Sequence, residues 1–144
     1  MNILHPNIVH FPIALICIAF FLHTVQILRP YWMCRVIGIW LLGLSISFSF
    51  LASFSGNKAA LSAGEKGFPT ETLQQLKLHE RFADILTWGC LVLFILWIFF
   101  FSRKMENKQI DYLAFAFLGL LSAIALITGY LGTQLVYVHG VGTP

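Results

Sequence analysis

Polar residues along this chain gather into a few short clusters, and between them run apolar stretches far longer than a soluble fold requires. Four stretches, Ile8–Leu28, Val36–Phe54, Phe82–Phe101 and Ile110–Tyr137, each reach the about 20 residues that a helix needs to cross a hydrocarbon core of about 30 Å. In lipid such segments must be helical, because only a helix or a closed barrel satisfies its own backbone groups. Pro69-Thr70-Glu71 reads as a helix start with Leu73 and Leu76 on one face, so the third helix is expected to begin above the membrane. The pattern predicts an all-α, integral membrane, antiparallel four-helix bundle with helices over 8–28, 36–54, 72–101 and 110–137. Short connections after the first and third helices make those neighbours antiparallel. The whole chain, 1–144, reads as one transmembrane domain with a loop at 56–78. No internal repeat shows in the sequence, so an inverted-repeat transporter has no positive support.

Composition agrees: 58% of residues are hydrophobic and 10% charged, against about a quarter charged in a soluble domain. An independent soluble enzyme is excluded. The nine Lys and Arg residues stand at the ends of the apolar runs rather than in one patch, which removes nucleic acid as a partner. Arg29, Arg35, Arg103, Lys104 and Lys108 share one side of the membrane, and the excess of basic residues in short loops marks the cytoplasmic face. Both termini and the long loop are then expected outside the bacterial inner membrane. The N-terminus lacks the basic region and cleavage site of a signal peptide, so the first apolar segment is expected to be retained. Cys17, Cys34 and Cys90 form no Cys-x-x-Cys-His run, which excludes a covalently attached haem.

The histidines carry the chemistry: of His5, His10, His23, His79 and His139, all but His23 fall at the expected outer end. Counted at about 1.5 Å per residue, His10 lies about 28 Å above Leu28 and His79 about 33 Å above Phe101. The two are within a helical turn of one level. In an up-down bundle the first and third helices are diagonal, so His10 and His79 are expected to face each other across the core, as the axial ligands of a b-type haem do. Small residues on the other diagonal, among them Ser49, Ser53 and Gly56 on the second helix and Ala125, Gly129 and Gly132 on the fourth, would leave room for a flat macrocycle between them. Close helix packing explains such stripes equally well. Arg81, with Lys77 and Lys58, is placed to pair with haem propionates. His23 has no second histidine at its level, which argues against a second haem.

His5-Pro6-Asn7 precedes a helix that should start near His10, because Pro12 is tolerated in a first turn. That segment is expected to fold inward as a cap and bring His5 toward His139. Together with Glu80 or Asp84, these two histidines offer an alternative copper or zinc site. Asp84, at the entrance of an apolar run, is costly unless paired. An Arg81–Asp84 pair on one helix face is the simple expectation, and orienting a ligand histidine or relaying a proton is the other.

Three segments resemble a known family: Leu4-His5-Pro6-Asn7-Ile8-Val9-His10-Phe11-Pro12-Ile13-Ala14-Leu15 at the start, the small-residue second helix ending at Ser55-Gly56, and Leu135-Val136-Tyr137-Val138-His139-Gly140-Val141-Gly142 at the end. They are similar to an uncharacterised family of bacterial four-span membrane domains, a domain of unknown function. Its members are sometimes joined to c-type cytochrome segments, which implies a place near periplasmic electron transfer. The expectation is a haem b-binding electron-transfer subunit, working between quinol and periplasmic redox carriers in a larger membrane complex and more accessory than an independent enzyme. The alternatives are a haem-free structural or assembly subunit and a copper or zinc site at the outer face.

Overall fold

The computed structural model describes residues 4–65, 67–103 and 107–141. A five-residue helix α1 (Leu4–Ile8) leads into α2 (His10–Leu28), followed by α3 (Trp32–Glu65), α4 (Thr70–Arg103) and α5 (Lys108–Tyr137). Four of them, α2 to α5, are long and apolar enough to cross a membrane. Each boundary has a local cause. Arg29 is extended (φ −138°, ψ 105°) because it precedes Pro30, and a residue before proline is pushed out of the helical region. Asn107 caps α5, its side chain accepting from the Gln109 N–H at 3.0 Å. Gly140, at φ 65°, ends α5 and lets the Val141 N–H return to the Leu135 carbonyl at 2.9 Å, the left-handed stop that glycine permits.

Most of the loop expected at 56–78 is helical: α3 continues to Glu65 and α4 begins at Thr70. The second helix also begins at Trp32 rather than at residue 36. Loss of hydrophobicity marks where a helix leaves the lipid, not where it ends. Nothing between Asn57 and Glu65 breaks a helix, and the breakers arrive together as Gly67-Phe68-Pro69, with Gly67 at φ 69°. Both long helices have 34 residues, so at about 1.5 Å per residue they are about 51 Å long and must stand well clear of a core of about 30 Å.

Helix α2 packs on α3 and α5, and α4 packs on α3 and α5. The spans therefore form a square in which α2 is diagonal to α4 and α3 to α5, as the up-down order requires. The core on the axis consists of Ile16, Ala19, Leu42, Cys90, Leu118, Leu121 and Ala125 with their neighbours. Large side chains such as Trp40, Phe54, Trp88 and Tyr130 point outward, where lipid replaces the water a soluble protein would meet.

The contacts repeat. Gly43 of α3 is covered by the Phe94 ring of α4, and Gly119 of α5 by the Phe20 ring of α2. His23 of α2 meets Trp97 of α4 edge-on at 5.0 Å, and the two occupy equivalent places in their hairpins. Arg35 near the start of α3 pairs with Asp111 near the start of α5 at 2.6 Å, again from equivalent places. The segment α1–α3 and the segment α4–α5 are thus two copies of one helical hairpin, related by a pseudo-twofold axis along the bundle. Leu42-Gly43-Leu44 with Gly56 and Leu118-Gly119-Leu120 with Gly132 carry the repeat in the sequence, where it is too sparse to be noticed before the contacts are known.

Candidate functional site

At the end of the bundle that carries α1, the axis passes between two histidines. His5 stands on α1 and His79 on α4, with ring centroids 6.4 Å apart and ring planes at 89°. Each ring is held in the same way. His5 Nδ1 lies 2.9 Å from the Ala52 carbonyl oxygen of α3, with Ser55 Oγ at 3.0 Å, and His79 Nδ1 lies 3.0 Å from the Thr128 carbonyl oxygen of α5. A carbonyl only accepts, so both Nδ1 atoms carry the proton and donate. Both Nε2 atoms are therefore the lone-pair nitrogens, and neither makes a hydrogen bond among the described residues. This is how a ligating imidazole is prepared: one nitrogen held by a backbone carbonyl, the other left as the ligand.

Four residues after each carbonyl stands a glycine. A Cβ on Gly56 would meet His5 Cε1 at 2.9 Å, and one on Gly132 would meet His79 Cε1 at 3.1 Å. Both glycines give the imidazoles room to lie flat against their helices.

The spacing has chemical content. A metal–imidazole bond of about 2.0–2.1 Å plus about 1.1 Å from ring nitrogen to ring centre puts each centroid about 3.2 Å from an ion, so two imidazoles on opposite sides of one ion stand about 6.4 Å apart. At a tetrahedral angle the same pair would stand about 5.2 Å apart. The His5–His79 centroid spacing equals the opposed value. Among the described residues, no group of three or more His, Cys, Asp or Glu side chains is arranged to hold a metal.

The histidines border a cavity of about 530 Å³, within the about 300–1,000 Å³ of ligand sites. Its walls include Ser49, Ser53 and Gly56 from α3 and Thr128, Gly129 and Gly132 from α5. Ser53 and Gly129, each in one of the small-residue stripes, both line this cavity.

Other expectations fare differently. His5, not His10, is the residue in contact with His79. The reason is that the helical course continues through Val9 (φ −64°, ψ −23°), whose N–H still bonds the His5 carbonyl at 3.2 Å; His5, seven residues before the buried Pro12, therefore shares its inward face, and His10 does not. His10 lines the same cavity with its imidazole exposed. His139 does not line it and is not brought to His5; its Nδ1 lies 3.1 Å from Thr72 Oγ1, tying the end of α5 to the start of α4. Arg81 and Lys77 are exposed and do not line the cavity, and Lys58 lies over the Phe54 ring at 4.8 Å. Asp84 lines the cavity, and the expected Arg81–Asp84 ion pair is not among those of the described residues.

His23 is fully buried at the opposite end, where its Nε2–H donates to the Asp111 carbonyl at 2.8 Å beside the Arg35–Asp111 pair. It shares no contact with His5 or His79. Its contacts join α2 to α4 and α5, while the ion pair joins α3 to α5. The signal for His5 was present in the sequence as the repeated Leu4-His5 and Leu78-His79.

No curated protein and no solved structure matches the chain. A family model described as a predicted membrane protein, DUF2231, matches residues 2–144. With the model matched over nearly the whole chain, and with four helices fit to span a bilayer, this membrane protein belongs to the DUF2231 family.

Proposed function

We propose that the bundle binds one haem b between His5 and His79 and that the protein is an electron-transfer subunit. One observation carries the reading: two imidazoles whose Nδ1–H groups are committed to carbonyls stand at the centroid spacing of ligands on opposite sides of one ion, bordering a cavity of about 530 Å³. Zinc is disfavoured, because its structural sites take four ligands in a tetrahedron and the described residues offer no third or fourth donor. Copper held by two opposed imidazoles is the alternative that the same spacing favours.

When bound, haem iron supplies one-electron chemistry. The chain's own part is to hold two neutral imidazoles and to set the cofactor near one end of the bundle. In this reading the α1 end lies on the periplasmic side of a bacterial inner membrane, and electrons pass between quinol and periplasmic carriers such as c-type cytochrome subunits of a larger complex. The test is a reduced-minus-oxidised absorption spectrum of the detergent-purified protein from haem-replete cells, with elemental analysis. Sharp α and Soret bands that His5→Ala and His79→Ala each abolish, and that His23→Ala leaves in place, support the reading. A flat spectrum overturns it, and copper at one equivalent moves the assignment to that metal.

A further inference from the structure

Resting on the reading above for its electron donor, we propose that quinol docks from the bilayer through the gap between α2 and α5, its ring beside Tyr130 and His10 and its hydrocarbon tail leaving past Leu126.

The cavity reaches the lipid-facing surface on this side of the bundle. Leu126 and Thr133 stand seven and fourteen residues after Gly119, whose added Cβ would meet the Phe20 ring of α2. Both therefore lie on the flank of α5 that α2 packs against, with Tyr130 and Tyr137 beside them toward the lipid. All four line the cavity, and Leu126, Tyr130 and Tyr137 are exposed. From α2, His10 and Ile13 line it as well. Counted from Asp111 at about 1.5 Å per residue, Leu126 stands about 22 Å up the bundle and Tyr137 about 39 Å. With a hydrocarbon core of about 30 Å, the opening runs from the acyl chains to the outer interface.

The equivalent gap between α3 and α4 is shut at the lower level. There the Phe50 ring of α3 meets the Trp88 ring of α4 at 6.1 Å. Phe50, Phe54 and Leu61, the counterparts of Leu126, Tyr130 and Tyr137, do not line the cavity. Asp84 and Asn57, the counterparts of His10 and Thr133, border that side with polar groups, and the ring pair below them leaves a hydrocarbon tail no way out. In the α2–α5 gap, Ala14 takes the place of Trp88 and Leu126 that of Phe50. No ring pair closes the gap at this level, so one lateral gap is shut and its twin is open.

An opening onto lipid admits a ligand carried in lipid, and its walls select the headgroup. No Lys or Arg is among the described residues that line the cavity, whereas Glu80 and Asp84 are. A phosphate headgroup finds no cationic wall there, while an uncharged ring bearing two oxygens needs only hydrogen bonds. Tyr130 can supply one: its oxygen accepts from the Gln134 amide, which leaves its own proton to donate. The His10 imidazole, exposed at the same rim, can accept from a hydroxyl or donate to a carbonyl, which suits the reduced and the oxidised ring alike.

The test is photolabelling of the protein in phospholipid nanodiscs with an azido derivative of a decyl-tailed benzoquinone, competed by the parent quinone. Mass spectrometry locates the label, and the haem bands are recorded on the same sample. Competed label should fall on α2 near His10 and Ala14 and on α5 between Leu126 and Tyr137. Ala14→Trp with Leu126→Phe installs in this gap the ring pair that shuts its twin. It should raise the competing concentration about tenfold or more, the scale of an overpacked contact, and leave the haem bands in place. Tyr130→Phe adds no bulk and removes one donor, so it should raise that concentration about twofold to tenfold. Competed label on Phe50 or Trp88, or unchanged competition in both variants, overturns the assignment of this gap. Label that the quinone does not compete means that phospholipid alone fills the opening, and overturns it too; haem bands still present in that sample leave the haem reading standing. Absent bands with competed label on α2 and α5 would sink the haem reading and keep the quinol site.

Discussion

Replacing Gly56 by alanine tests the seat of His5 directly, because the added methyl would lie 2.9 Å from His5 Cε1, 3.3 Å from Nδ1 and 3.5 Å from Nε2. Carbon atoms prefer about 3.5–4.0 Å, so the ring must retreat by about 0.6 Å or more, against a backbone carbonyl that it already touches. Overpacking of this kind costs about 1–3 kcal/mol. The intrinsic helix preference of alanine over glycine returns about 0.5–1 kcal/mol. Gly64, on the same helix beyond the span, is the control, since nothing lies within 4 Å of its would-be Cβ and alanine there should gain the helix term alone. The two variants should thus differ by about 1–3 kcal/mol, which at about 2–4 °C per kcal/mol separates their melting midpoints by several degrees. Thermal unfolding in one detergent, followed by circular dichroism without added haem, measures the difference. Gly56→Ala should also bind haemin more weakly, because the displaced ring no longer presents Nε2 at the spacing required. A Gly56→Ala protein stabilised as much as Gly64→Ala would refute the packing of His5 on α3.

Phe20→Ala and Phe94→Ala should lose similar stability, each up to about 3–5 kcal/mol, because each ring covers the equivalent glycine; a large inequality would deny the pseudo-twofold. Arg35→Met should cost about 3–5 kcal/mol by leaving the Asp111 carboxylate half-buried and unpaired, while adding Asp111→Leu should recover much of it, as read by denaturant titration. Asn107→Ala removes the cap of α5 and should cost about 0.5–2 kcal/mol in the same assay. Haem affinity should fall as pH is lowered, since protons compete for the ligand nitrogens, and a spectrophotometric titration should show the Soret band lost in acid.

The spans, their antiparallel order and the diagonal pairing of the first and third were legible in the sequence, because lipid admits so few backbone arrangements. The Ser53 and Gly129 stripes were legible for a related reason: small side chains at helical spacing must face something close. His5 is legible as the partner of His79 only if the helix is carried back through Val9, because Pro12 read as a first-turn residue starts the helix near His10 and leaves His5 outside the helical frame. The repeat was hidden for a subtler reason. Equivalent places in the two hairpins hold His23 and Trp97, Arg35 and Asp111, His10 and Asp84, pairs that match in location but not in residue type. A comparison by identity sees little beyond Leu-His, Phe20 with Phe94, Leu22 with Leu96, Leu-Gly-Leu, and Gly56 with Gly132.

The Arg35–Asp111 pair lies where the two hairpins meet at equivalent points, and its opposite charges give the halves distinct identities. Two copies of the first hairpin, docked about the same axis, would set Arg35 against Arg35, and two copies of the second would set Asp111 against Asp111. At about 4 Å and an effective dielectric constant of about 20, like charges repel by about 4 kcal/mol, while the natural pairing attracts by as much. Each hairpin therefore rejects its own kind and accepts the other, so neighbouring molecules in a crowded bilayer gain nothing by exchanging equivalent halves.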